Sequence, residues 1–332
     1  MQIINDTLAA MSLAAPQAFS NLAVYPLIAP AWREADYLVL DEALQRKLAR
    51  VTEVSEGGSV PELAFENGAD VGVLLLDGEE LIGARQNRVL NITVLVGGHR
   101  KIVIPVSCVE HGRWHYNSNH FDSSDRAIFF NARAKMSRDV SASMHESGSR
   151  RSNQGEVWED IAEKSAQFCC KSDSGAMADV YEQQKARLDG YVAAVRATPG
   201  QCGAVFAIDG KVAGLELFDN PGTFARYLPK LVRSYAMEAA ASGQPDAVPP
   251  VEESVRRFIE EMKAAATESF KALGEGEDVR IGGNSISGGA LVHGERIVHL
   301  AAFKLDGRKP PSPRRTRRPE GRVPPNRDTP ES

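Results

Sequence analysis

Cysteine is scarce in this chain and badly spaced for chemistry. Cys108, Cys169, Cys170 and Cys202 are the four present, two of them adjacent. No C-x-x-C or similar spacing occurs, so a disulfide scaffold and an ordinary zinc site are both excluded. No apolar run approaches the roughly 18 residues of a membrane helix. The apolar stretch Leu8–Ala15 has no basic residue before it, the first being Arg33. A secretory signal is therefore not expected, and a reducing, cytoplasmic setting is. Walker A, G-x-S-x-G, His-Glu-x-x-His and a G-x-G-x-x-G opening a helix are all missing, which removes the commonest nucleotide-binding, hydrolase and zinc-protease signatures. No cofactor is expected on these grounds.

What remains is ordinary globular composition. Hydrophobic residues make up 42% of the 332, charged residues 25%, and mean hydropathy is −0.29. Collagen-like, coiled-coil and wholly disordered classes are excluded. At about 100–200 residues per domain, the length allows one large domain or two ordinary ones.

The net charge of −5 is unevenly distributed. Residues 307–332 carry eight basic residues against Glu320, Asp328 and Glu331, which leaves −10 for the rest of the chain. Seven of the 18 prolines also lie there. Such a segment buries too little to offset its ordering entropy, so a disordered Pro/Arg-rich tail is expected. A solvated extension is the plain reading. A tail that brushes RNA or DNA is the other, but the acidic remainder argues against dedicated nucleic-acid binding.

Residues 20–114 have a β pattern. Apolar stretches at Leu22–Leu27, Tyr37–Leu40, Glu62–Glu66, Val71–Leu76, Glu80–Gly83, Arg88–Val96 and Lys101–Val109 are punctuated by Asn67-Gly68, Asp77-Gly78 and Gly97-Gly98. These are hairpin-turn signals, and they predict an antiparallel meander forming a sandwich or open barrel. Pro105 predicts an edge strand or bulge. The period then lengthens to that of helices over Ala127–Met144, Gly155–Cys169 and Ala176–Val195, read as three helices on the sheet. Further on, Ala204–Phe218 and Ala290–Phe303 read as hairpins turning at Asp209-Gly210 and His293-Gly294, and Phe224–Ala241 and Val251–Leu273 as helices. The two hairpins share an outline that suits strands of one sheet. The expected fold class is α+β: an N-terminal antiparallel β-sandwich-like region, a helical middle, and C-terminal helices and β-hairpins in one body. The expected organisation is a β region over 1–118, a helical and α+β region over 119–306 packed on it, and the tail at 307–332.

The densest polar segment runs from Asp77 to Asn91. Arg85, Gln86, Asn87, Arg88, Asn91, Glu79 and Glu80 are the candidate ligand-binding residues. Arginine forks suit phosphate and carboxylate, and amides read ribose hydroxyls. The competing reading is a charged hairpin whose arginines pair with Glu79 and Glu80. Glu79 and Glu80 are adjacent and face opposite sides of a strand, which speaks against a catalytic pair. His99, His111, His115 and His120 cluster in sequence without metal-ligand spacing, leaving open a metal-dependent, cupin-like enzyme. Cys108 is the thiol candidate, with Glu110 and His111 after it, but it sits in the apolar run Ile102–Val109. His299 and Asp219 lie near the hairpin ends and can face a shared cleft.

Several strings taken together carry a resemblance: Leu74-Leu75-Leu76-Asp77-Gly78-Glu79-Glu80-Leu81-Ile82-Gly83, Gln86-Asn87-Arg88-Val89-Leu90-Asn91 and Ile104-Pro105-Val106-Ser107-Cys108-Val109-Glu110. With them go Gly112-Arg113-Trp114, Gln154-Gly155-Glu156-Val157-Trp158 and Ser174-Gly175-Ala176-Met177. The set resembles the bacterial ADP-ribosylglycohydrolase- and rhodanese-phosphatase-associated protein domain family, over residues 15–306 as one family domain. The resemblance implies an ADP-ribose-like small molecule, or another NAD-derived phosphorylated nucleotide, that the chain binds or processes. It carries over no catalytic residues. The alternative is a non-enzymatic structural or protein-interaction module.

Overall fold

The computed structural model describes residues 2–55, 61–83, 86–112, 120–244, 247–283 and 285–305. Arg85, His115, the Arg113-Trp114 pair and the 307–332 tail lie outside these residues. In chain order the first elements are α1 (Gln2–Ala10), β1 (Ser12–Leu13), β2 (Gln17–Phe19), β3 (Leu22–Ile28), β4 (Tyr37–Val39), α2 (Leu40–Gln45), β5 (Ala49–Glu53) and β6 (Glu62–Asn67). Next come β7 (Gly72–Leu75), β8 (Glu79–Gly83), β9 (Arg88–Leu90), β10 (Val94–Val96), β11 (Lys101–Cys108) and β12 (Phe121–Ala127). The helices α3 (Phe130–Ser147), α4 (Gln154–Gln167), α5 (Met177–Gln183) and α6 (Lys185–Ala194) follow. The chain closes with β13 (Gln201–Ile208), β14 (Lys211–Phe218), α7 (Pro221–Ser242), α8 (Glu252–Lys263), β15 (Ala266–Lys271), β16 (Glu277–Gly282), β17 (Ile286–His293) and β18 (Arg296–Lys304).

The fold is α+β, but its N-terminal part is a barrel and not a sandwich. Strands β11-β6-β5-β12-β8-β9 close on one another, and β10-β7-β4 form a separate three-stranded sheet. The three expected hairpin turns are real turns with a different job. Asn67-Gly68, Asp77-Gly78 and Gly97-Gly98 each carry the chain between the barrel and the small sheet. Likewise, the single strand expected over Arg88–Val96 divides into β9 in the barrel and β10 in the small sheet, bending at Asn91–Thr93. Asn67 fixes one corner: its buried amide donates to Val71, Val96 and Gly97 carbonyls and accepts from Ala69 N. Pro105 sits on no edge. In β11, residues 101–105 pair with β6 and 106–108 with β9, so proline occupies the point where the partner changes.

The larger body is a nine-stranded sheet, ordered β1-β3-β13-β14-β18-β17-β16-β15 with β2 added on β3. The pairing joins residues 12–28 to the C-terminal hairpins, while residues 121–127 help close the barrel. Both expected hairpins form, and β14 pairs with β18 in this one sheet. Asp209 and Gly210 take φ 52° and 73°, as a tight two-residue turn requires. Strand β3 is apolar at every position because both its faces are covered. Leu22 and Val24 pack in the core under α7, whereas Ala23, Tyr25 and Leu27 pack with Ile4, Leu8, Val255 and Phe258 of α1 and α8.

Two helix expectations needed revision. Ala176–Val195 is two helices broken at Gln184. Val251–Leu273 is a helix only as far as Lys263; Ala266–Lys271 is instead the edge strand β15, drawn into the sheet by six residues of antiparallel register with β16. There tertiary pairing outweighs the helical pattern. Elsewhere the local code held. Ala132, Met136, Val140 and Met144 make the buried stripe of α3, which stops at left-handed Gly148. Asn153 and Asn220 cap α4 and α7 by accepting backbone N–H bonds. Among the described residues no helix is long and apolar enough to cross a membrane.

A buried charge cluster ties these bodies together. Arg133 of α3 donates to both Asp77 oxygens at 3.1 Å and to Glu216 of β14 at 2.6 Å. His299 of β18 lies 3.1 Å from Glu216 and 2.8 Å from Thr93 Oγ1, and Thr93 donates to Asp77. Arg133→Met should therefore lower stability by about 3–5 kcal/mol in urea denaturation, because two carboxylates stay buried without their cation. Burial on its own would raise the Asp77 carboxyl, but Arg133, His299 and Thr93 together hold it below its ordinary value. A carboxyl depressed by folding adds stability above its unfolded pKa of about 3.9, and that stability is lost as pH falls through the folded value. The urea midpoint should accordingly fall as pH drops below about 4. Asp77→Asn should flatten that part of the profile.

Candidate functional site

A cleft of about 740 Å³ opens where α3, α4 and α7 meet one end of the large sheet. Helical periodicity builds its walls. Asn131, Ala134, Lys135, Arg138 and Ser141 form one face of α3, while Asp160, Glu163, Lys164 and Gln167 form one face of α4. Glu238, Ala241 and Ser242 come from the end of α7. The sheet contributes Ile208 to Ala213 around the β13–β14 turn, Ile281 to Gly283 at the end of β16, Ile286 and Ser287, and Lys304 with Leu305. Five cations and four carboxylates border the cleft, and all the cations but Lys211 are held in ion pairs among the described residues.

Ion pairs hold α4 in place. Lys135 pairs with Asp160 across to α3, and Lys164 pairs with Glu238 of α7 at 2.7 Å. Lys164 also donates to Gln167 at 3.0 Å and stands 5.6 Å from the Phe129 ring. Glu238 is 9% exposed, and its Oε1 has no hydrogen-bond partner among the described residues. Burial raises the Asp160 carboxyl, with Glu163 and Glu156 adding to it against Lys135. At the rim, Arg138 engages Asp139 and Glu156, and Lys304 engages Glu261. Lys211 is exposed and makes no ion pair among the described residues.

The segment singled out in the sequence lies elsewhere, and the side chains of Glu79, Glu80, Gln86, Asn87, Arg88 and Asn91 are buried. Glu79 and Glu80 are fully buried and diverge, as strand alternation requires. Glu79 meets Lys230 and Ser123; Glu80 meets Arg126 at 2.8 Å and Ser124 at 2.9 Å. The Gln86 amide donates to Glu110 O, and its Oε1 accepts from Arg88 at 3.1 Å. Arg88 also reaches the backbone carbonyls of Gln86 and Asn87. Asn87 N lies 3.4 Å from Glu110 Oε2. Asn91 accepts from Ser107, donates to Arg150 O and borders a cavity with room for about one water beside Thr93, Asp278 and His299. Arg85 lies outside the described residues.

The remaining candidates separate too. His299 belongs to the Arg133 cluster, whereas Asp219 meets Tyr37 and Arg296, so the two share no partner among the described residues. His99 pairs with Asp70, His120 lies 4.0 Å from Asp122, and His111 packs edge-on against Trp158. The described residues contain no group of three or more side chains able to hold a metal. Cys108 is buried against Gln86 and the Glu110 carbonyl, and burial pushes its thiol up, away from the reactive thiolate.

The motifs of this framework have a counterpart among known families. The family model described as the ARG and Rhodanese-Phosphatase-superfamily-associated Protein domain matches residues 10–303. The chain belongs to this family. The match takes in the barrel, the large sheet and every wall of the cleft save Lys304 and Leu305. No curated protein and no solved structure matches the chain.

Lys164, Glu238, Lys135 and Asp160 had not been picked out from the sequence. A signal for one was present: Glu238 is the lone charge in the apolar run Tyr235–Ala240. Arg88 yields the prediction for the buried segment. Arg88→Lys keeps the charge but loses the planar fork that reaches Gln86 and Asn87. It should cost about 1–3 kcal/mol in urea denaturation, the cost of leaving buried acceptors unmet.

Proposed function

We propose that this domain binds an ADP-ribose-like phosphorylated nucleotide in the cleft between α3, α4 and α7. The observation that carries the reading is the cleft's make-up. It has the volume of a small-ligand site. An apolar interior from Phe129, Phe130, Ala134, Ala213 and Ile286 suits a base, and Lys211, Lys304, Lys135 and Arg138 suit phosphates. The ligand class is supported by the family description, which associates the domain with ARG and rhodanese-phosphatase proteins. In this reading the Glu79–Asn91 segment supports the barrel end and does not touch the ligand. A cytoplasmic setting goes with such a ligand.

The second reading is a non-enzymatic structural or interaction module. It is favoured by the inward bonding of Glu79, Glu80, Gln86, Asn87 and Arg88.

A thermal and chemical unfolding series with ADP-ribose separates the two. Ligand at 100 times its dissociation constant should stabilise the chain by about 2.7 kcal/mol, and a pure scaffold should show no shift. Lys211→Glu removes no ion pair of the described structure. It should leave unfolding in buffer unchanged and weaken ADP-ribose binding at least about tenfold, a loss of about 1.4 kcal/mol. Equal binding by the variant would move the ligand out of this cleft.

A further inference from the structure

The cleft is short of free positive charge for a phosphorylated ligand. Lys135, Arg138, Lys164 and Lys304 are each held by a carboxylate, which leaves Lys211 as the lining cation with no ion pair among the described residues. A diphosphate carries more charge than one lysine matches, and arginine forks are the side chains best shaped to meet it.

The chain brings such side chains to the same place. Lys304 and Leu305 line the cleft, and Leu305 N donates to Ser285 O at 2.8 Å, so the backbone leaves the described body at the cleft wall. In the sequence that follows, Arg308, Lys309, Arg314, Arg315, Arg317 and Arg318 come within the next 13 positions, against Asp306 alone. At about 3.3–3.6 Å per residue, Arg308 and Lys309 can stand up to roughly 10–14 Å from Leu305. That reach exceeds the cube-root width of a cleft of about 740 Å³. A short tether of this kind holds a group at an effective concentration of millimolar order.

The cleft wall itself is a poor counter-charge for these residues. Asp160 and Glu238 are taken up by Lys135 and Lys164, and Asp209 accepts from Asn21 and Ser242. Glu163, which accepts from Gln167, is the lining carboxylate with no ion pair among the described residues. One exposed carboxylate engages one guanidinium, whereas a diphosphate offers two charged groups and several acceptor oxygens.

Resting on the nucleotide reading above, we infer that the basic residues at 308–318 complete the cleft as a diphosphate site, supplying the cations that its walls lack. The walls then take the base and ribose, and the C-terminal arginines and Lys211 take the phosphates.

The test is calorimetric titration of the full chain with ADP-ribose at low and high salt. A full-length variant carrying Arg308→Gln, Lys309→Gln, Arg314→Gln, Arg315→Gln, Arg317→Gln and Arg318→Gln is titrated beside it. The variant should bind at least about tenfold more weakly at low salt, because the charge-assisted contacts are gone. Its affinity should also change less with salt than that of the wild-type chain, and its urea midpoint without ligand should match the wild type. Equal affinity of the two chains at low salt overturns the inference while leaving the nucleotide reading standing. Tighter binding by the variant also overturns it, since the basic segment would then compete with the ligand. A lowered urea midpoint of the ligand-free variant overturns it as well, by assigning these residues to the stability of the body. Absence of ADP-ribose binding by the wild-type chain overturns the nucleotide reading itself.

Discussion

The guanidinium of Arg133 is the joint on which the other parts depend. It has no solvent exposure, and it bridges Asp77, in the link between small sheet and barrel, to Glu216 in the middle of the large sheet. A charge placed so deep is tolerated only when its partners are fixed and themselves bonded. Thr93 and His299 do this for Asp77 and Glu216, and Tyr235 donates to Glu216 at 3.2 Å. The cluster also dictates two glycines. A Cβ at Gly78 would lie 2.8 Å from Arg133 Cδ, and one at Gly214 would lie 2.6 Å from the Tyr235 hydroxyl. Gly78 has positive φ as well, so turn geometry and the passage of the arginine impose the same residue.

Other charges are buried on the same terms. Lys230 of α7 meets Glu79 and Asp41, and Arg126 meets Glu80 beside Ser124. These pairs bind the barrel to α7 and to its own strands, and their geometry specifies how the layers meet. Desolvating such ions costs several kcal/mol each, so they hold shape more than they add stability. The Lys164–Glu238 pair resembles them in burial and differs in place. It lines a cleft, and Glu238 Oε1 has no hydrogen-bond partner among the described residues.

Much of the fold was legible because its signals are local. The period change after residue 120, the Asp209-Gly210 turn and the stripe of α3 each depend on a few neighbouring residues. The sheet partners were less legible. Asp77-Gly78 announces a turn, but nothing in it says whether the next strand stays in the same sheet. Barrel closure depends on β9 meeting β11, a pairing with no local signature. The same blindness hid β15, where Ala266–Lys271 continues a helical pattern and only the waiting edge of β16 decides otherwise.

The sequence drew attention to Asp77–Asn91 and not to the cleft for a physical reason. Polar density in a sequence marks both surfaces and buried networks, and Asp77–Asn91 belongs to the second kind. The cleft residues are spread from Phe129 to Leu305 and meet only when α3, α4, α7 and the sheet pack. On α4 the stripe Asp160, Glu163, Lys164 and Gln167 reads as an ordinary solvated helix face. What distinguishes it is a single carboxylate set among alanines on another helix, Glu238 between Met237 and Ala239. An isolated charge inside an apolar run must find a partner when the run is buried, and the same rule marks Glu216 in Ala213–Phe218 and Arg133 between alanines. Charges embedded in apolar runs, more than clusters of charges, were the informative feature of this sequence. They identify the positions where burial has to be compensated, and from those positions both the joint at Arg133 and the cleft at Glu238 can be found.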